Sequence, residues 1–224
     1  MPSLPDRWQV ERFGLGAGEF HALDVVEPVA RTVWVSRPPT PALVLGSMQS
    51  SEIVDPAVAA RLGVDVVRRR SGGGAVLVVP GELCWIDLLI DRDDPLWDDD
   101  VGRAMHWVGE LWQSALAGLG VTAEVHRGPL VRTAWSDLVC FAGLGPGEVV
   151  GEGGEKLVGV SQRRTRTWAR FQTACLVRWD PSSILDLLTA HLSDGGLPLA
   201  RAAGGTGRTV ADLEAAVLAS LPAA

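Results

Sequence analysis

Through its first 95 residues the chain is a succession of short apolar runs closed off by turn residues: Arg31–Val35, Ala42–Leu45, Val64–Val67, Gly74–Val79 and Leu83–Ile90. Runs of this length, rich in Val, Ile and Leu and bounded by Gly, Pro and Asp, read as β-strands. Pro80-Gly81 marks a hairpin turn between the last two. A short helix is predicted over Pro56–Leu62, with Asp55 as its cap, Pro56 in its first turn and Gly63 just past its end.

The longest helical pattern is Asp98–Leu119, where Val101, Met105, Val108, Trp112, Leu116 and Leu119 recur at spacings of three and four and Gly120 follows. The run Asp98-Asp99-Asp100 can be imagined as a metal site. Carboxylates at a helix start are more simply explained as partners of the helix dipole. Further strands are expected at Val121–Val125, Leu138–Phe141, Glu148–Val150, Leu157–Val160 and Ala174–Arg178. Helices are expected from Asp180-Pro181 to about His191 and from Thr209 onward, with a glycine-rich connection over Ser193–Gly207. Strands in sequence with little βαβ alternation predict an α+β domain, a mixed, largely antiparallel sheet flanked by helices. The expectation is one domain over 1–224, with its core at about 31–188, a helical extension over 189–224 and no large accessory domain.

Composition narrows the function. A net charge of −7 argues against a nucleic-acid binder, since nonspecific affinity for phosphate backbones rests on excess cations. No apolar stretch approaches a membrane span and no leader pattern opens the chain, so a cytoplasmic protein without a membrane partner is expected. Cys84, Cys140 and Cys175 lack metal-binding or disulfide spacing, and His21, His106, His126 and His191 have no ligand-like neighbours. No bound metal is expected.

Three segments carry chemistry. In Arg69-Arg70-Ser71-Gly72-Gly73-Gly74-Ala75-Val76, three glycines at a strand entrance sacrifice packing and chain entropy, which a closely approaching ligand or backbone explains. Their N–H groups can receive an anion, although a flexible turn gives the same triplet. The second segment, Val149 to Gln172, holds Lys156, the only lysine against nineteen arginines. Arginine does not replace a compact, rotatable ammonium, and a positive charge beside Gly159 can neutralise a carboxylate or phosphate in a transition state. The arginines of the segment can hold phosphate oxygens or an acidic partner, or form a solvated basic loop. In the third segment, Cys140-Phe141 precedes a loop rich in Gly and Pro, where an exposed thiol can act as a nucleophile and a buried one is inert.

The first two segments together resemble the signature of the lipoate-protein ligase A family, grouped with biotin ligases and octanoyltransferases, over roughly Arg31 to Leu188. The resemblance implies a mixed sheet flanked by helices and an enzyme that attaches lipoate or octanoate to a lysine of a lipoyl carrier domain. That carrier belongs to a 2-oxoacid dehydrogenase complex or is the glycine cleavage H protein. In the ligases, ATP and Mg2+ first produce an acyl-adenylate. By resemblance, Arg69, Arg70, Ser71, Gly72, Gly73, Gly74, Ala75, Gly159 and Ser161 bind the substrate, and Lys156 contacts the acyl carbonyl and phosphate. Val78 stands where the family usually has histidine, and Ser161 where it commonly has alanine.

Cys140-Phe141 resembles the pair of cysteine-dependent octanoyltransferases, which take octanoate from acyl carrier protein, whereas Gly74 is ligase-like. Ligation is the leading expectation. Transfer through Cys140 and a noncatalytic lipoyl-binding role are the alternatives.

Overall fold

A computed structural model of the chain describes residues 8–189 and 197–223. In chain order the elements are β1 (Gln9–Phe13), α1 (Ala17–Ala22), β2 (Thr32–Ser36), β3 (Ala42–Leu45), α2 (Pro56–Leu62), β4 (Asp65–Arg68), β5 (Val76–Val78) and β6 (Leu83–Asp91). There follow α3 (His106–Gly118), β7 (Ala123–Val125), β8 (Val149–Gly151), β9 (Lys156–Arg164), β10 (Trp168–Leu176), α4 (Pro181–Leu185), α5 (Leu197–Ala202) and α6 (Val210–Ala219).

The strands form two sheets. One has the order β1-β2-β6-β10-β9-β8-β7, in which every pairing but β1–β2 is antiparallel. The other is the three-stranded sheet β4-β3-β5, with β3 parallel to β4 and antiparallel to β5. The α+β class with a largely antiparallel sheet is as expected. The division into two sheets is not, and the hairpin expected at Pro80-Gly81 does not form: β5 pairs with β3, while β6 pairs with β2 and β10 in the other sheet.

Alternation along the central strands sets up two faces. On β6, Cys84, Ile86, Leu88 and Ile90 join Val108, Trp112 and Leu116 of α3 and Leu213 and Val217 of α6 in one core. Leu83, Trp85 and Leu89 point the other way, into a second core with Phe20 of α1, Ala42 and Val44 of β3 and Val78 of β5. A third core lies behind the small sheet, between Leu43, Leu45 and Ala75 and residues of the 135–142 segment, α4 and α5. The space between the two sheets therefore has an apolar wall on each side.

Local chemistry explains where the elements depart from expectation. α2 starts and stops as predicted: Asp55 accepts hydrogen bonds from Ala57 and Val58, and Gly63 adopts φ 63°. α3 begins only at His106. Asp98 accepts from the backbone of Asp100, and Asp100 from that of Arg103, so these carboxylates fold a turn of their own ahead of the helix. Leu138–Phe141 is not a strand; Cys140–Ala142 form a 3-10 turn, and Val139 makes an isolated bridge to Ala75. The basic segment is no loop either, since β9 and β10 run through it as a hairpin.

The helix expected to reach His191 ends at Leu185, and His191 lies outside the described residues. Within the expected glycine-rich connection, α5 forms. No helix among the described residues is long and apolar enough to cross a membrane.

Candidate active site

The site begins with a defect in β9. Val149 pairs with Val158, but Val150 pairs with Lys156, so Leu157 is an extra residue in the strand. Without it Lys156 would lie on the face of Val158, in the α3 core. The β-bulge turns its side chain to the opposite face, that of Gly159 and Ser161. There Lys156 is 2% exposed.

All three donors of its ammonium are engaged. Nζ donates to the carbonyls of Cys140 and Gly143, each at 3.0 Å, and pairs with Glu148 Oε1 at 2.7 Å. The ring of Phe141 lies 5.1 Å away. A side chain at Gly159 would meet Lys156 Cε at 3.3 Å and Phe141 Cζ at 3.5 Å, so the glycine leaves the lysine its room. Glu148 is itself fixed, accepting from Val160 N at 3.1 Å and Gly145 N at 2.7 Å. Sequence reasoning did not assign Glu148 a role. The available signal was that it is the only acidic residue between Asp137 and Glu152, and a buried lysine requires a counter-charge.

The glycine triplet packs against the Cys140 segment. A Cβ at Gly74 would fall 2.6–2.8 Å from backbone atoms of Val139 and Cys140. Ala75 completes the contact, donating to Leu138 O and accepting from Cys140 N. Gly73 has φ 94°, and its carbonyl lies where a Cβ on Gly46 would be. Arg69 is buried and donates to the carbonyls of Val44, Gly72 and Gly74, which makes it the internal brace of this loop.

Two connected cavities result. A narrow slot of about 50 Å³ runs between the sheets, walled by Val44, Val76, Val78, Trp85, Phe141 and Ala174 among others. A wide cleft of about 600 Å³ opens beside it, bordered by Gly72, Gly73, Gly74, Glu148 and Lys156. Cys140, Val160 and Ser161 belong to both, and so stand at the junction. Gly159 and Arg69 lie on the slot. Ser71 is buried behind it, 3.3 Å from Ser161 Oγ and donating to Gln172 Oε1 at 3.1 Å. Ala75 and Arg70 are on neither wall: Ala75 is fully buried, and Arg70 is half exposed, 3.9 Å from Asp24.

The other arginines separate by role. Arg170 is 1% exposed and holds Asp87 at 2.6 Å while donating to the carbonyls of Phe20 and Leu23, so it anchors α1. Burial pushes the Asp87 carboxyl above its ordinary range, with Arg170, Trp85 and Gln172 pulling against it. Arg164 donates to Asp98 O and stacks on Trp97. Arg163 lies against Trp168, and partial burial with Arg70 nearby lowers its pKa. Arg166 is exposed in the hairpin turn.

Two further residues on the slot were missed, His21 and Gln172. His21 Nδ1 is 3.0 Å from Gln172 Nε2. Burial, reinforced by Arg170 and Arg69, lowers its pKa to about 3. Val78, the family's histidine position, is an apolar wall of the same slot, and the imidazole found there comes from α1 instead. Nothing in the local sequence signals this, because His21 is far from both motifs.

Among solved structures, the bipartite lipoate protein ligase of Thermoplasma acidophilum, from a study of an archaeal lipoylation system with its E2 lipoyl domain, aligns with a TM-score of 0.75 at 17% identity, over 97% of this chain and 82% of that one. A T. acidophilum structure with bound lipoic acid gives 0.73 at 16% identity, over 96% and 82%. Lipoate-protein ligase A bound with ATP gives 0.69 at 15% identity, over 96% and 83%. At these identities the likeness shows the fold. No curated protein matches the sequence. The family model of the lipoyl protein ligase A/B catalytic domain matches residues 23–217, and the chain belongs to that family.

Proposed function

We propose that the chain attaches lipoate or octanoate to a lysine of a lipoyl carrier domain, by way of an acyl-adenylate formed from ATP. The observation that carries this reading is the meeting of a narrow apolar slot with a wide polar cleft at Cys140 and Ser161, beside the chain's only lysine. A medium-length acyl chain in the slot brings its carboxyl end to the junction. The cleft has the breadth a nucleotide needs, and the exposed Gly72 and Gly73 lie on its edge with backbone N–H groups suited to phosphate oxygens.

In this reading Lys156 acts by exchange. One of its loop partners, the carbonyl of Cys140 or Gly143, yields its place to an acyl or phosphate oxygen while Glu148 keeps the ammonium oriented. A charge already positioned in a water-poor site stabilises developing negative charge without reorganisation. Among the described residues no group of three or more His, Cys, Asp or Glu side chains can hold a metal ion. In this reading Mg2+ arrives with the nucleotide, whose phosphates and bound water supply most of its oxygen ligands.

Lipoic acid and ATP in two of the structural relatives, and the E2 lipoyl domain studied with a third, support the choice of substrates and acceptor. The acceptor is then the lipoyl domain of a 2-oxoacid dehydrogenase complex or the glycine cleavage H protein. Arg70, Arg163 and Arg166 are the cations of this region not consumed inside the fold, and they suit an acidic carrier surface.

One observation favours a second reading. Cys140 is half-buried at the junction itself, where a thiol can carry the acyl group as a thioester received from acyl carrier protein. The test is to incubate the protein with a lipoyl domain and either lipoate plus ATP or octanoyl carrier protein, and to weigh the intact acceptor. A gain with lipoate and ATP that survives Cys140→Ser supports ligation. A gain only from the carrier protein, lost in Cys140→Ser, establishes transfer instead. No gain with either donor removes the enzymatic reading.

A further inference from the structure

His21 departs from the behaviour of a structural histidine. Most buried polar side-chain atoms are paired with another group. Here Gln172 Oε1 accepts from Ser71 Oγ, and Gln172 Nε2 also faces Asp87 Oδ2 at 3.5 Å. The amide nitrogen of Gln172 is therefore the atom turned toward His21, and Nδ1 accepts from it at 3.0 Å. The ring proton is then on Nε2.

Among the described residues Nε2 meets no acceptor, and unlike the unpartnered ring nitrogens of Trp34, His106 and Trp112 it is not sealed in the core. The residue instead lines the slot, its ring tilted against Trp85 at a centroid distance of 4.7 Å. Because its pKa is near 3, the imidazole stays neutral under ordinary conditions and presents one fixed N–H. The ring is held from behind, since Arg170 ties down the carbonyls of Phe20 and Leu23 on either side of it.

We propose that His21 is a specificity-determining residue whose Nε2–H recognises a hydrogen-bond acceptor carried on the acyl chain, so that the slot prefers chains bearing a ring sulfur or an oxo group over an unbranched alkyl chain. The inference rests on the slot being the acyl site. Its physical basis is an asymmetry: an alkyl chain that covers the N–H leaves a buried donor unpaired, whereas a chain with an acceptor satisfies it. Around it Val44, Val76, Val78 and Leu83 are wholly apolar, and the other donors on the slot are engaged within the fold: Arg69 on the carbonyls of Val44, Gly72 and Gly74, Thr173 Oγ1 on Ile86 O, and Gln172 Nε2 on His21 and Asp87.

The test is direct binding by calorimetry, which needs no turnover. Lipoate, 6-oxooctanoate and octanoate are titrated into the wild-type protein, His21→Phe and His21→Gln, with thermal unfolding of each variant as a check on folding. The two acceptor-bearing acids are expected to bind wild type about tenfold more tightly than octanoate, the scale of one buried donor left unpaired. His21→Phe is expected to remove that difference while octanoate binding is kept or improved, and His21→Gln, which retains an N–H, to preserve part of it.

Equal binding of all three acids to wild type overturns the role of His21 and leaves the slot as an acyl site. A His21→Phe variant that weakens all three equally does the same. Failure of every acid to bind removes the acyl site and this inference together.

Discussion

Lys156 Nζ and Glu148 Oε1 lie 2.7 Å apart with side chains only 3% and 6% exposed, and the same ammonium closes onto the carbonyls of Cys140 and Gly143. The pair fastens three separate pieces of chain, β9, the β8 approach and the Cys140 turn, into one wall of the cleft. Removing one charge from such a pair leaves the other buried without compensation. Glu148→Gln is expected to cost about 3 kcal/mol in urea unfolding, at the lower end for broken buried pairs because the amide keeps an acceptor for Gly145 or Val160. A loss below about 0.5 kcal/mol contradicts the buried-pair account.

The glycine triplet makes a prediction that separates its members. Gly74→Ala places a Cβ 2.6–2.8 Å from the Val139–Cys140 backbone, and neither backbone can swing away as a flexible side chain does. Gly72→Ala meets nothing within 4 Å and demands no left-handed backbone. The first is expected to cost roughly 2 kcal/mol and to reduce acylation by moving Cys140, the second to stay within about 0.5 kcal/mol of wild type. Equal effects at both positions contradict the contact between the triplet and the Cys140 turn.

His21 adds a pH dependence. Its folded pKa, about 3, lies below the unfolded value of 6.5, so between those limits the unfolded chain binds more protons. The stability contributed by the neutral ring is present above the unfolded value and declines as pH falls toward the folded one, at about 1.4 kcal/mol per pH unit. Stability of wild type and His21→Gln measured from pH 7 to 4 is expected to show a shallower decline in the variant. Parallel curves contradict the buried neutral histidine.

What the residues disclosed in advance was local or motif-borne. α2 could be bounded to the residue because Asp55, Pro56 and Gly63 act on their own neighbours. The encounter of the glycine triplet with Lys156 was legible only as a family pattern, and the structure supplies its geometry through the bulge at Leu157, which no apolar periodicity encodes. β1 was missed because it is a largely exposed edge strand with no apolar alternation. The ends of β9 and β10 were missed because Arg163, Arg164, Arg170 and Gln172 read as solvated, whereas Arg170 is buried against Asp87 and the α1 carbonyls. Gln172 and His21 were overlooked because they meet only in the fold, from opposite ends of the chain, whereas Glu148 lies close to Lys156 in sequence and its local signal was passed over.

The cysteine carries its own outcome. Cys84 and Cys175 are fully buried, and burial raises both thiols, Cys84 to about 12, so neither reacts at neutral pH. Cys140 is half-buried beside the cleft. Brief treatment of the native protein with iodoacetamide is expected to modify Cys140 alone, read by peptide mass. Labelling of Cys84 or Cys175 at a comparable rate contradicts the packing of the core between α3 and the sheet.

The most direct measurement is intact-mass analysis of a lipoyl domain incubated with lipoate, ATP and either the wild-type protein or Lys156→Arg. A guanidinium is larger than an ammonium and cannot direct three donors at Cys140 O, Gly143 O and Glu148 from the space that Gly159 and Phe141 leave. The account predicts a lipoyl mass gain with wild type and none with a folded Lys156→Arg protein. Full activity in that variant would contradict it.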